Sequence, residues 1–330
     1  MHCNNLYRIT IITILSALTF GSATGVNATT NKPRIGFFAF ASVTADCQNK
    51  PFLDGLQELG YVVGENVIIE CKHVNGHQEI DAAAKELVSS RPDILVAFGH
   101  APALAMLRAT RDIPIVMSTS GEPVTAGLVT SLARPGGNVT GVSYYNTELN
   151  AKRLELMKAV VPGLKRVALV RDPHAPPDLL DVYARHSKEA AKTLGLELHV
   201  VDVNTVEELD ARFAQMAQDK IQAVFIMPFH TLFKETPRIA RLAKLHKLPT
   251  MHCHKGFVPA GGLMFYGVDY ATQHRRMAAY VDKILRGAKP ADLPIEQPAR
   301  FEFHLNRAAA DELGLKLSAA VLMRANKVVE

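Results

Sequence analysis

Short runs that are apolar at every position, each followed by a helical stretch, recur through this sequence, and the series starts twice. Arg34-Ile-Gly-Phe-Phe-Ala-Phe40 opens the first series, and Arg166-Val-Ala-Leu-Val-Arg171 opens the second with a similar phrase. Strands that are continuously rather than alternately apolar are buried on both faces, so the pattern implies parallel sheets covered by helices on each side. In the first series Phe52, Leu53, Leu56 and Leu59 recur at helical spacing before Gly60, and 67–70 reads as a strand. Ile80, Ala83, Ala84, Leu87 and Val88 then share one face of a helix over 78–90 that Arg91-Pro92 ends. Further strands are expected at 94–98, 115–117 and 139–142. The second series predicts helices over 178–194, 206–219 and 237–247, with strands at 198–201, 223–227, 249–252 and 263–266. The fold class is α/β, with two doubly wound parallel-sheet lobes.

The phrase Ser131-Leu-Ala-Arg-Pro-Gly-Gly137 stands between the two series. Arg134-Pro135 is expected to stop a helix, Gly136-Gly137 to allow a tight reversal, and 139–143 to leave as a strand toward the second lobe. That makes 131–146 an interdomain hinge. A simple turn within one sheet is the alternative.

The N-terminus reads as an export signal. One cation lies in 1–8, an apolar run fills 9–20, and Val26-Asn27-Ala28 places small residues at a cleavage site. The run is shorter than the roughly 20 residues that span a bilayer. No cysteine follows it where a lipoprotein signal needs one, so the mature chain is expected to start near Thr29, in the periplasm. Charge gives no second address: net +5 from 37 basic and 32 acidic residues, without long Lys/Arg runs, points to neither nucleic acid nor a membrane surface. Three cysteines remain after the signal. Cys47 follows the first strand and Cys71 ends the second, which leaves both a Cys47–Cys71 disulfide and two free thiols open.

Longer phrases carry a family resemblance. PIVMSTSGEPVTAGLVTSLARPGGNVTGVS, KRLELMKAVVPGLKRVALV, LMFYGVDY, YVDKILRGAKPADLPIEQPARFEFHLN and ADELGLKL, in this order from about Pro33 to Glu330, resemble the ABC-transporter substrate-binding proteins of the tryptophan- and tyrosine-binding type. The resemblance implies a type I periplasmic binding protein: two Rossmann-like lobes, three crossover strands, and a cleft that closes on a small molecule. On this reading 1–28 is the signal peptide, 29–143 with about 270–298 forms lobe one, and 144–269 with about 299–330 forms lobe two. The protein would act as a monomer and serve a membrane permease with a separate ATPase.

Open parallel sheets bind ligands at the carboxyl ends of their strands, where helix N-termini offer unpaired N–H groups. Here those ends carry Ser42, Thr44, Gly99, His100, Ser118, Thr119 and Ser120 in lobe one, and Asp172, His174, Phe229, His230, His252 and Asp269 in lobe two. By resemblance Ser118, Thr119 and Ser120 would hold a ligand carboxylate and Asp172 or Asp269 an ammonium. Phe229, Phe40, Tyr144 or Tyr145 would stack on a ring. Four histidines at strand ends, His100, His174, His230 and His252, depart from an aromatic amino-acid site and suggest an anionic ligand or pH-dependent affinity. Scattered surface histidines are the alternative.

Other chemistries find little support. His252 and His254 share a strand face in Met251-His-Cys-His-Lys-Gly256, but zinc-type spacings are absent, so neither a metal nor a cofactor is expected. Gly-x-Ser-x-Gly, Gly-x-Gly-x-x-Gly, Gly-x-x-x-x-Gly-Lys-Ser/Thr and His-Glu-x-x-His are also missing. The expected function is capture of a small solute, an amino acid or related carboxylate, for an ABC permease. A ligand-sensing subunit of a membrane receptor is the second reading, and a secreted hydrolase the third.

Overall fold

The computed structural model describes residues 32–41, 49–144 and 149–330. Five parallel strands, β1 (Arg34–Phe40), β2 (Ile68–Val74), β3 (Ile94–Phe98), β4 (Ile115–Thr119) and β5 (Val139–Ser143), form the first sheet in the order β2-β1-β3-β4-β5. Helices α1 (Lys50–Glu58), α2 (Ile80–Ser89) and α3 (His100–Ala109) lie between them. Residues 35–40 of β1 are buried, as a central strand covered on both faces requires. Asn49 starts α1 by accepting the Phe52 N–H at 3.2 Å, and Phe52 and Leu56 carry its buried face onto the sheet.

After β5 come α4 (Leu149–Val160), β6 (Arg166–Arg171), α5 (Pro177–Leu194), β7 (Glu197–Asp202), α6 (Leu209–Gln218), β8 (Ala223–Ile226), α7 (His230–Phe233), α8 (Thr236–Leu245), β9 (Thr250–His252) and β10 (Met264–Gly267). The chain finishes through α9 (Tyr270–Leu285), β11 (Glu302–Asn306), α10 (Arg307–Glu312), α11 (Ala319–Arg324) and β12 (Lys327–Val329). The second sheet runs β12-β11-β10-β9-β8-β6-β7. Its β7-β6-β8-β9-β10 segment repeats the first sheet's order, as the similar openings at Arg34 and Arg166 predict.

Three connections pass between the sheets. The first leaves β5 for α4. The second leaves β10 for α9, which packs on α1, β4 and β5. The third passes Glu296, whose N–H donates to the Gly141 carbonyl at 3.0 Å and whose carbonyl accepts the Ser143 N–H at 2.9 Å, before entering β11.

Two expectations are corrected. No α-helix precedes Arg134-Pro135: no helical element lies between Thr119 and Val139. Hydroxyls build the bend instead, with Thr130 Oγ1 donating to the Pro135 carbonyl at 3.1 Å and Ser131 Oγ to the Arg134 carbonyl at 2.9 Å. Gly136 turns at φ +77°, and β5 then pairs in parallel with β4, so the reversal is a turn within one sheet and the crossing follows Ser143. The second sheet is also not wholly parallel. The third connection re-enters beside the carboxyl end of β10, Gly267 facing Glu302, so β11 must run back antiparallel.

Gly141 has a steric duty in β5. At φ +135° its backbone lies so close to Met117 that a Cβ would overlap the Met117 carbonyl oxygen. Cys71 is disulfide-bonded, and Cys47, the partner considered from sequence, lies outside the described residues. None of the described helices is long and apolar enough to cross a membrane.

Candidate ligand-binding cleft

The carboxyl ends of both sheets face each other across a cavity of about 230 Å³. From the first sheet come Phe40, Phe98, Gly99, His100, Ser118 and Ser120, with Tyr144 just beyond β5. Pro176, Leu179, Pro228, Phe229, Phe233 and His254 come from the second, and Tyr270 and His274 from α9. No Asp, Glu, Lys or Arg belongs to the described lining.

Rings dominate the walls. Tyr144 meets Tyr270 edge-on at 4.9 Å, and Phe98 meets His274 edge-on at 4.9 Å. On the opposite side Phe233 stacks on His254 at 5.0 Å, and Phe229, 3% exposed, packs edge-on against Tyr183. The Tyr144 hydroxyl is buried without a hydrogen-bond partner. Burial pushes its phenol well above the ordinary range, against the opposing pull of the Ser118 hydroxyl.

The serine hydroxyls lie beside a helix N-terminus. α3 begins at His100, so its first N–H groups and Ser118 and Ser120 lie in one part of the wall. His100 is held from both sides: Nδ1 is 2.8 Å from Thr119 Oγ1, and Nε2 is 2.8 Å from Asp178 Oδ2 in the first turn of α5. The His100 bond keeps the Asp178 carboxyl below the usual carboxylate range. This contact joins the two sheets across the cavity, and His186 of α5 with Glu122, at 3.6 Å, forms a second joint of the same kind.

The histidines divide by environment. Burial pushes His274 down to about 4. Its Nδ1 is 2.8 Å from Asn49 Nδ2, and because Asn49 Oδ1 already accepts from Phe52, that nitrogen donates and the proton of His274 sits on Nε2. Burial also lowers His77 and His254. His252 is fully buried between Phe257 and Phe233, outside the lining, and lies well below its ordinary range for the same reason. Among the described residues no group of three or more His, Cys, Asp and Glu is placed to hold a metal ion.

The sequence-predicted residues therefore separate. Gly99, His100, Ser118, Ser120, Tyr144 and Phe229 converge on the cavity, while Thr119 stands behind His100. Asp172 and His174 line a second cavity of about 180 Å³ instead. Asp269 caps α9, accepting from the Ala271 N–H at 3.1 Å and the Thr272 hydroxyl at 3.2 Å. Ser42, Thr44 and Tyr145 lie outside the described residues, as does the side chain of His230. His77, His254 and Tyr270, two or three residues past β2, β9 and β10, line the cavity together with His274 of α9, and none of the four is among the strand-end candidates. His77 precedes α2 and His274 sits inside α9, where helical position carries no signal of a site.

Known proteins share the sequence and fold of this chain. A curated relative, the tyrosine-binding protein of Clostridioides difficile (strain R20291), is 28% identical over 276 residues, 83% of this chain and 79% of that protein. The ABC domain of a Streptococcus pneumonia protein in complex with L-Trp superposes with TM-score 0.81 at 27% identity, covering 90% of this chain and all of that one. A conserved domain protein of Vibrio cholerae matches with TM-score 0.81 at 25% identity, over 90% of this chain and 99% of its own. The two-lobed α/β architecture is that of type I periplasmic binding proteins, and capture of a small solute for an ABC permease is favoured over the receptor-sensing alternative. The sequence pattern of the ABC transporter substrate binding proteins matches residues 41–329, and the chain belongs to that family.

Proposed function

We propose that the first cavity takes a small molecule bearing an aromatic ring and a carboxylate, captured in the periplasm and passed to a permease that a separate ATPase drives. The observation that carries this reading is the division of the cavity wall. Rings from both sheets line most of it, while the α3 N-terminus, Ser118, Ser120 and the buried Tyr144 hydroxyl gather donors at one end. The ligands named for the two relatives, tyrosine and L-Trp, have this shape.

Ser118, Ser120 and the first N–H groups of α3 hold the carboxylate, Tyr144 donates to it, and Phe229 stacks on the ring. Thr119 orients His100 rather than touching the ligand. Asp269 and His252 serve the helix cap and the core. Lobe one comprises 29–143 with about 270–298 and lobe two 144–269 with about 299–330, after removal of the signal peptide 1–28. The lobes rotate about the three connections, and the His100–Asp178 and Glu122–His186 contacts complete closure over the ligand. The protein works as a monomer and catalyses no reaction.

Calorimetric titration with L-tyrosine, L-tryptophan, ribose and adenine, paired with small-angle scattering, tests the reading. Aromatic amino acids should bind saturably and shrink the radius of gyration. Saturable binding of ribose or adenine with none of either amino acid would overturn it.

A further inference from the structure

The first cavity holds one donor that the function above leaves unused. His274 lies just past the first turn of α9 and lines the cavity. Its ring meets Phe98 edge-on at 4.9 Å and lies 6.4 and 6.2 Å from the rings of Tyr144 and Tyr270. Burial among these rings holds the imidazole down to about 4, although the Asp269 carboxylate at the start of the same helix pulls the other way. Near pH 7 the ring is neutral, with one N–H and one bare nitrogen.

A residue behind the cavity wall decides which nitrogen is which. Asn49 is 5% exposed and caps α1, its Oδ1 accepting the Phe52 N–H at 3.2 Å. Its Nδ2 is 2.8 Å from His274 Nδ1. Turning the amide over would set an NH2 group against the Phe52 N–H and lose the cap, so Nδ2 donates, Nδ1 accepts and the proton stays on Nε2. That Nε2 bonds to none of the described residues. Nor is it sealed in the interior, as the Nε2 of His252 is, so it opens on the cavity.

The first sheet shows what this N–H stands beside. Phe98 ends β3, Tyr144 follows β5, and β4 runs between those strands. Val116 of β4 packs in one core with Met277 and Ala278 of α9, and Ser118, two residues on, points to the same face. The Ser118 hydroxyl lies near that of Tyr144. Two hydroxyls and the His274 N–H thus share one face of the sheet at the strand ends, with no Arg or Lys in the described lining. Neutral donors bond an ionised acceptor about twice as strongly as a neutral one, so they hold a carboxylate without a fixed cation. We propose that His274 Nε2–H donates to the ligand's carboxylate, and that Asn49, out of the ligand's reach, is the positioning residue that fixes this tautomer. The inference rests on the aromatic carboxylate reading of this cavity.

Nitrogen-15 NMR of the histidine rings, with the His274 signals assigned by their loss in His274→Asn, reads the tautomer in the unaltered protein. At pH 7 the proton should sit on Nε2, and its resonance should move downfield when L-tyrosine saturates the site. Asn49→Ser keeps an oxygen for the Phe52 N–H and removes the Nδ2 donor, so the ring should populate both tautomers and L-tyrosine should bind about fivefold more weakly. By calorimetry His274→Phe should weaken L-tyrosine and L-phenylalanine alike, about tenfold. A proton on Nδ1, or an Nε2 signal that saturating L-tyrosine leaves in place, overturns the donor and leaves the aromatic reading standing. An unchanged tautomer in Asn49→Ser takes the positioning role from Asn49. A loss in His274→Phe confined to L-tyrosine puts the donor at the phenol and overturns the carboxylate assignment. If the unaltered protein binds neither amino acid, the aromatic carboxylate reading fails and this inference with it.

Discussion

The two sheets share one strand order and meet the cleft with different chemistry. At the end of β3 and β4 the first sheet presents a helix N-terminus and two serine hydroxyls, a place for an anion. The matching ends of β6 and β8 present Pro176, Leu179, Pro228 and Phe229 to the same space. Topology repeats the position of a site without repeating its content. The sheets also differ at their edges: β5 ends the first against Glu296, while β11 and β12 extend the second. Closure therefore adds apolar and aromatic groups of the second sheet to a first-sheet wall that carries both rings and the serine donors, which suits a ligand with a ring and an anionic end.

The largest effect should come from the first sheet's edge. Gly141→Ala places a Cβ 2.7 Å from the Met117 nitrogen and closer still to its carbonyl, at a φ that L residues rarely adopt. A loss of about 4 kcal/mol or more in urea unfolding is expected. Gly137→Ala, a few residues away with open space around its Cβ, should stay within about 0.5 kcal/mol. Equal stability of the two variants would break the argument that β5 is seated on Met117.

Next in size is a pH effect centred on α9. His274 has its folded pKa pushed down to about 4 from 6.5, so between those values the unfolded chain binds a proton that the folded protein refuses. Stability is complete above pH 6.5 and is lost as pH falls toward 4, by about 3 kcal/mol for this group alone. His77, His252 and His254, all lowered by burial, act in the same direction. His274→Asn should flatten the dependence of the unfolding midpoint between pH 6.5 and 4. An unchanged slope would remove His274 from the buried, neutral set.

Much of this arrangement was legible in the sequence, and the exceptions have physical causes. Continuous apolar runs mark buried strands whatever their neighbours, so the strands at 94–98 and 223–226 were readable. Arg134-Pro135 looks like a helix stop because Pro ends helices, yet the same dipeptide suits a bend capped by Thr130 and Ser131, and only tertiary pairing decides between them. The antiparallel β11 follows from where the third connection re-enters, which periodicity does not encode. In the cleft, strand ends located Ser118, His100 and Phe229. They also selected Asp172, which a two-residue turn onto the His174 N–H directs to the neighbouring cavity. His274 comes from inside a helix laid across the opening, so no strand-end rule could find it, while Tyr270 stands next to Asp269, the residue that the rule selects.

A smaller effect belongs to the joint between the halves. Asp178→Asn keeps the shape of the carboxylate and removes its charge from His100 Nε2. Asp178 is 35% exposed, so solvent screening limits the loss to about 1 kcal/mol. Ligand dissociation, followed by stopped flow, should quicken about fivefold with little change in the unfolding midpoint. A variant with wild-type dissociation would show that the His100–Asp178 contact does not hold the closed state.

The smallest change tests the donor end itself. Tyr144 is 4% exposed, and its hydroxyl, near that of Ser118, makes no well-formed hydrogen bond, an arrangement that costs the ligand-free protein about 1 kcal/mol. Tyr144→Phe keeps the ring against Tyr270 and deletes the orphaned group, so the unfolding free energy without ligand should rise by about that amount. If the hydroxyl is reserved for the ligand's carboxylate, the same substitution should weaken L-tyrosine binding about tenfold, since a charge-assisted bond is lost. The two effects have opposite signs, which a purely structural tyrosine does not produce. Its removal would leave binding unchanged or lower stability and affinity together.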